Sequence, residues 1–189
     1  MADQVASAWQ YLPVEIPPGA CGLRVELAYD RSAAVLDLGC LGAAGFRGWS
    51  GGARQSFVIT SGAATPGYLA GELEPGRWQV VLGLYQVPPG GVTYQLTAEI
   101  SSRPGELAPA PEPAPPPPLP GGDRPPARVL PAAAGRRWLA GDLHTHTVHS
   151  DGEQTVGALA RYAASLGLDF LAVTDHNTVS YTHLRAHET

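Results

Sequence analysis

The chain has 189 residues, a net charge of −5 and only 15% charged residues, which argues against a nucleic-acid-binding surface. It contains no apolar run of about 18 residues that would span a membrane. Its first ten residues, MADQVASAWQ, lack a basic start followed by an apolar core, so we expect a cytoplasmic protein without a secretory signal.

Residues 1–101 are predicted to form an antiparallel β-sandwich of jelly-roll type. Residues 22–29 and 92–100 alternate apolar with polar or small side chains, which is the period of a half-buried strand. Further runs rich in Val, Ile and aromatic residues lie at 33–39, 56–60 and 77–87. Pro-Pro-Gly, Gly-Gly and Glu-Pro-Gly turns separate these short strands, and such spacing is typical of a sandwich.

A glycine-rich stretch, FRGWSGGAR, lies between two of the predicted strands. We interpret it as a structural turn with a packed Trp49. The alternative is that Arg47, Trp49 and Arg54 contact a substrate or the C-terminal unit.

Residues 102–136 differ sharply in composition, because Pro and Ala dominate and almost nothing is available to bury. The natural state of such a segment is polyproline II. We therefore predict a semi-stiff linker between two domains.

Residues 137–178 have the pattern of a βαβ unit. A short apolar strand at 137–144 precedes a helix that Thr155 can cap and Gly167 can end. The helix is indicated by apolar residues at 3.6-residue spacing: Val156, Leu159, Ala160, Ala163 and Leu166. Residues 168–176 then form a nearly continuous apolar strand, which predicts burial on both faces of a parallel sheet.

Candidate metal ligands follow both of these strands. His144 and His146 are two residues apart, so their imidazoles are expected on the same side of the strand end. Asp151 follows after a short turn, and His176 ends the next strand. Because parallel strands place their carboxyl ends side by side, all four residues should meet at one rim and bind Zn, Mn or Fe.

Two roles are open for each of three neighbouring residues. Asp142 and Asp175 each adjoin a candidate ligand, where a carboxylate orients an imidazole or simply caps the following turn. His149 is either a contact to ligand or substrate or an exposed loop histidine.

The motifs DLHTHTVHSDG and TDHN resemble those of the polymerase and histidinol phosphatase (PHP) superfamily. The resemblance implies a distorted βα barrel around two or three metal ions, with His144 and His146 on the first metal and Asp151 and His176 at a neighbouring position. It also implies a hydrolase that uses a metal-activated hydroxide to attack a small-molecule phosphoester. Residues 37–85 are similar to the N-terminal β domain of the CehA/McbA-type branch, whose name-giving member cleaves a carbamate ester.

The barrel is incomplete in this sequence, because 137–178 supply only its first βαβ unit. Residues 179–189, VSYTHLRAHET, resemble a translated sequencing adapter, so the His183 and His187 pair is not interpreted as ligands. We accordingly expect a fragment that is itself inactive, from a parent hydrolase. The alternative is a β-sandwich that binds a ligand or partner and carries a non-catalytic PHP remnant.

Overall fold

A computed structural model describes residues 8–111, 114, 125 and 129–176. Nine strands and one helix are present in these ranges. In chain order they are β1 (Trp9–Ile16), β2 (Gly22–Tyr29), β3 (Val35–Gly42), β4 (Gly45–Gly51), β5 (Ser56–Thr60), β6 (Gly76–Gln86), β7 (Tyr94–Ser101), β8 (Gly141–Thr145), α1 (Val156–Ser165) and β9 (Phe170–Val173).

The first seven strands form two antiparallel sheets that share one core. The four-stranded sheet has the order β1-β6-β3-β4, and the three-stranded sheet has the order β5-β2-β7. Alternate residues of the central strands point inward and are almost fully buried, among them Leu23 and Val25 of β2, Leu36 and Leu38 of β3, and Val80 and Leu82 of β6. Each such side chain stabilises the fold by about 1.5–3 kcal/mol. The predicted β-rich sandwich is confirmed, while its jelly-roll type stays a prediction.

All five strands predicted in this region are present, but two further strands were missed. β1 is an edge strand that pairs only with β6 and contains Pro13, a residue that weakens the sequence signal of a strand. β4 occupies the stretch predicted to be a turn. Its glycines hide the strand pattern, and two irregularities interrupt its pairing with β3.

Two tryptophans, Trp9 and Trp49, pack together on the outer face of the four-stranded sheet and form a shelf there. Trp49 lies over Gly39, where a Cβ atom would be 2.2 Å from Cε3 of the indole ring. Trp9 packs against Trp49 with ring centroids 5.2 Å apart. Asp37 projects from β3 on the same face, since its neighbours Leu36 and Leu38 are fully buried on the other. This outer face lies against the C-terminal unit.

The C-terminal unit is a parallel βαβ arrangement, as predicted. β8 pairs with β9, and the hydroxyl of Thr155 accepts a hydrogen bond from the N–H of Ala158 at 3.2 Å. Gly167 ends the helix with a φ of 75°. No helix in the described part of the chain is long and apolar enough to cross a membrane.

The prediction that the strand at 168–176 is buried on both faces is wrong. Phe170 at the start of β9 is 41% exposed, and the remaining residues of the strand are only half-buried. Within the described residues β9 has one neighbouring strand, β8, so its other edge has no partner there.

The Pro-rich segment begins by packing on the sandwich. Leu107 is buried and lies against Gly22, and the hydroxyl of Ser101 donates a hydrogen bond to the carboxylate of Glu106. The first residues of the predicted linker, up to Leu107, are therefore packed on the sandwich, although their composition is that of a spacer.

Both cysteines are free thiols. Cys21 is half-buried, whereas burial raises the pKa of Cys40 to about 12. A thiol with this pKa stays protonated at neutral pH, so Cys40 is a core residue rather than a nucleophile.

Candidate metal centre

Three of the predicted ligands lie together beyond the carboxyl ends of β8 and β9. The nitrogen and oxygen atoms that His146, Asp151 and His176 offer lie within 4.8 Å of one another. Nδ1 of His146 is 2.6 Å from Oδ1 of Asp151, and Nε2 of His176 is 3.8 Å from Oδ2 of the same carboxylate. Asp151 therefore bridges two imidazoles that follow two different strands.

His144 lies beside this cluster but not inside it. Its ring centroid is 4.8 Å from that of His146, so the two imidazoles are neighbours, as expected for residues two apart. Nδ1 of His144 lies 3.4 Å from the hydroxyl of Thr174 instead. The structure thus groups His146 with Asp151 and His176 more closely than with His144.

The free nitrogen of His146 fits a metal ligand. Its Nε2 is inaccessible to solvent and has no hydrogen-bond partner among the described residues. A buried polar atom without a partner costs about 1–3 kcal/mol. A neutral imidazole that donates its Nδ1 proton to Asp151 leaves the Nε2 lone pair free to bind a metal ion, which is the common arrangement of metal-binding histidines.

The environment of Asp151 favours its charged form. Partial desolvation alone would raise its pKa, but hydrogen bonds from His146, from the main chain and from Ser150 outweigh it. The net effect is a pKa below the ordinary value, so the carboxylate is anionic at neutral pH and suited to a cation.

The loop that carries Asp151 is held by a second carboxylate, Asp175. The N–H and the hydroxyl of Thr147 each donate to it at 2.6 Å, and the hydroxyl of Ser150 donates at 2.6 Å. Asp142 likewise accepts from the main-chain N–H of His144 at 3.0 Å. Of the two roles open to these carboxylates, the structure shows contacts to the adjoining turns. Asp142 accepts from a main-chain N–H, Asp175 accepts from a main-chain N–H and two hydroxyls, and neither contacts an imidazole nitrogen of the described residues.

The sandwich contacts the same loop directly. The guanidinium of Arg54 donates to the carbonyl of Ser150 at 2.9 Å and to the carbonyl of Val148. Gly67, with a φ of +95°, lies so close to the loop that a Cβ atom there would be 2.9 Å from the carbonyl oxygen of His149. Arg54 therefore fulfils the alternative that this stretch contacts the C-terminal unit.

The other two residues of that stretch are structural. Trp49 is packed, with 6% of its surface exposed. Arg47 is buried and donates to the carbonyls of Leu69, Gly71 and Glu72 within the sandwich.

A cavity of about 440 Å³ lies between the shelf and the cluster. Asp37, Trp49 and Tyr85 line it from the sandwich, and Asp151 and His176 line it from the metal-ligand side. Sequence reasoning missed Asp37, because a polar residue between two apolar ones is what an ordinary half-buried strand contains. Only the long-range packing of β3 brings it near the cluster.

Comparisons of the chain with protein-family models, with curated proteins and with solved structures give no match.

Proposed function

We propose that the chain carries part of the metal centre of a metal-dependent hydrolase of PHP type, acting on a small-molecule phosphoester or a related ester such as a carbamate. The observation that carries the proposal is the cluster of His146, Asp151 and His176, in which a buried imidazole nitrogen lacks a partner among the described residues. His144 adjoins the cluster and completes the proposed ligand set. The donors, imidazole nitrogen and carboxylate oxygen, suit Zn, Mn or Fe.

A bound metal ion supplies a water molecule of lowered pKa and neutralises charge that develops on the ester. The residues of the chain prepare the site for it. His146 and His176 present nitrogens, while Asp151 fixes the ring of His146 and adds negative charge. Asp175 holds the loop that sets the position of Asp151.

The proposal also includes the type of each domain and the location of the protein in the cell. The βαβ unit is the start of a distorted βα barrel, and the sandwich is of jelly-roll type. The protein acts in the cytoplasm on a small molecule.

Metal binding is the first test. Isothermal titration of the 189-residue chain with Zn²⁺ or Mn²⁺ should show binding that His146→Gln and His176→Gln each weaken about tenfold or more. The double variant His183→Gln/His187→Gln is the control for adventitious binding by the last residues, and it should leave the affinity unchanged. Binding that depends only on His183 and His187 would contradict the proposal.

The catalytic part is tested on a protein that carries the whole of the proposed barrel. Release of 4-nitrophenolate from 4-nitrophenyl phosphate, or from an aryl carbamate, should require added metal and disappear in His146→Gln. Metal binding without hydrolysis of either ester class would favour a sandwich that binds a ligand beside a non-catalytic remnant.

A further inference from the structure

The cavity between the sandwich and the candidate metal centre has a chemical character of its own. Its volume, about 440 Å³, is in the range of sites for small organic molecules. One end reaches Asp151 and His176, so a molecule that fills it lies next to the cluster. The other end is formed by the outer face of the four-stranded sheet.

Asp37 is the acidic group on the sandwich side. Its carboxylate is half-buried beside Gly51, Gly52 and Gly83, and the N–H of Gly52 donates to it. No Arg or His of the described chain forms an ion pair with it. Burial raises the pKa of Asp37, which reflects the cost of holding this charge without a cation.

Aromatic surface adjoins this carboxylate. Tyr85, from the end of β6, lines the cavity and is 76% exposed. Trp49 forms a buried part of the same wall. A carboxylate beside an accessible aromatic ring, here that of Tyr85, is a combination that attracts ammonium groups, through charge and through the ring face.

The lining that the described residues provide contains no Arg, and its imidazole, His176, lies at the other end of the cavity beside Asp151. Arg31 and Arg54 reach the walls but donate to the carbonyls of Gly52 and Ser150. The chain contains no Lys at all. A second anionic group on a ligand would therefore meet the charge of Asp37 without compensation.

We propose that this cavity binds the organic part of the substrate as an amine, with the ammonium group on Asp37 and the adjoining carbon skeleton against Tyr85. Its link to hydrolysis rests on the proposed function, whereas the preference for amines rests on the cavity alone. Asp37 and Tyr85 are then the residues that determine specificity.

The experiment compares three probes that share one ring: benzylammonium, benzyl alcohol and benzoate. Their dissociation constants are measured by NMR titration of the full chain, first with a chelator and then with Zn²⁺. In the metal-free chain, benzylammonium should bind about tenfold more tightly than benzyl alcohol, because either probe can donate a hydrogen bond to Asp37 but only the ammonium adds an opposite charge. Benzoate should bind most weakly of the three.

Two substitutions locate the effect. Asp37→Asn should reduce the preference for benzylammonium over benzyl alcohol to about one, because the hydrogen-bonding shape remains and the charge is lost. Tyr85→Ala should weaken both probes about threefold. Glu26→Gln, an exposed acidic residue on the three-stranded sheet, is the matched control and should leave the preference unchanged.

Equal or tighter binding of benzoate to the metal-free chain would overturn the proposal, and so would a preference that survives Asp37→Asn. Tyr85→Ala tests the cavity by a second, independent substitution, since Tyr85 is largely exposed and its loss should leave the fold intact. If the chain binds Zn²⁺ but shows no amine preference, the specificity proposal alone fails. If it prefers amines but never binds metal through His146, the proposed function alone fails.

Discussion

Two aspartates near the candidate site have opposite environments. Asp175 accepts three short hydrogen bonds from Thr147 and Ser150. Asp37 is half-buried, and although the N–H of Gly52 donates to it, burial dominates and raises its pKa. Asp175 holds the loop in place by its hydrogen bonds, whereas the charge of Asp37 is unfavourable in the absence of a ligand and would be stabilised by a bound cation.

Asp175→Asn should weaken metal binding about tenfold, as is typical for residues that support metal ligands. The amide would direct N–H groups toward Thr147 or Ser150, which are themselves donors, so the loop would lose part of its anchor. Titration calorimetry with Zn²⁺ measures the change. Asp30→Asn is the matched control, because Asp30 accepts from Ser32 in a similar turn. Equal losses in the two variants would argue against a role of Asp175 at the metal site.

Asp37→Asn should raise the thermal midpoint of unfolding at pH 7. A folded-state pKa above the ordinary 3.8 means that the folded protein loses stability as pH rises past that value, and Asn removes this loss. Well below pH 3.8 the Asp37 side chain is protonated in both the folded and the unfolded protein, so the stability gained by Asn should vanish there. Calorimetric melts at pH 7 and pH 3 measure it. A lower midpoint at pH 7, or an equal gain at both pH values, would contradict the assignment.

At the scale of elements, the packing of β4 against β3 depends on a glycine. Gly39 on β3 leaves the space that the Trp49 ring of β4 fills, and this places the shelf that forms the cavity wall. The pairing of β3 with β4 is irregular at two points, where the chain adjusts around these residues.

Gly39→Ala should lower the free energy of unfolding by about 1–3 kcal/mol, because the added methyl group displaces the Trp49 ring. Gly62→Ala is the control: a Cβ atom there meets nothing within 4 Å, so the effect should stay within about 0.5 kcal/mol. Urea denaturation of both variants gives the comparison. A Gly39→Ala protein as stable as the control would show that Trp49 is not packed as described.

The sequence predicted those strands and the helix in which apolar residues recur with a single, regular period. β2 and β5 have the predicted bounds, and Thr155 and Gly167 delimit the helix as expected, since these signals are local. β1 and β4 were missed because Pro13 and the glycines of β4 conceal strand pairing that tertiary contacts impose.

The same distinction applies to the site. Asp151 and His176 were predictable, because strand ends of a parallel pair meet at one edge. Asp37 was not, and the sequence offered the contact of Arg54 only as the alternative to a structural turn, since each depends on packing between segments about 100 residues apart in sequence.

At the scale of the molecule, the sandwich and the metal-ligand loop are joined by a small number of polar contacts. Arg54 donates to two carbonyls of the loop that bears Asp151, and Gly67 permits the close approach beside it. Desolvation lowers the pKa of Arg54, while charges on nearby groups, among them Asp175, oppose this. The guanidinium remains charged at neutral pH, because Arg pKa values start above 12.

Arg54→Ala should therefore weaken Zn²⁺ binding about tenfold, because the loop loses two charge-assisted hydrogen bonds. Arg54→Lys should restore only part of the affinity, since an ammonium group cannot reproduce the two-pronged contact. Arg24→Ala removes the exposed ion pair with Glu99 on the other sheet and should change the affinity less than about twofold. Identical affinities in Arg54→Ala and Arg24→Ala would show that the sandwich does not position the loop.

The most direct measurement is X-ray absorption at the zinc edge of the Zn²⁺-loaded chain, together with His146→Gln. A first shell that includes imidazole nitrogens at about 2.0–2.1 Å, with one imidazole fewer in the variant, is the expected result. A shell of oxygen atoms alone, or a spectrum that His146→Gln leaves unchanged, would contradict the metal centre on which the proposed hydrolase depends.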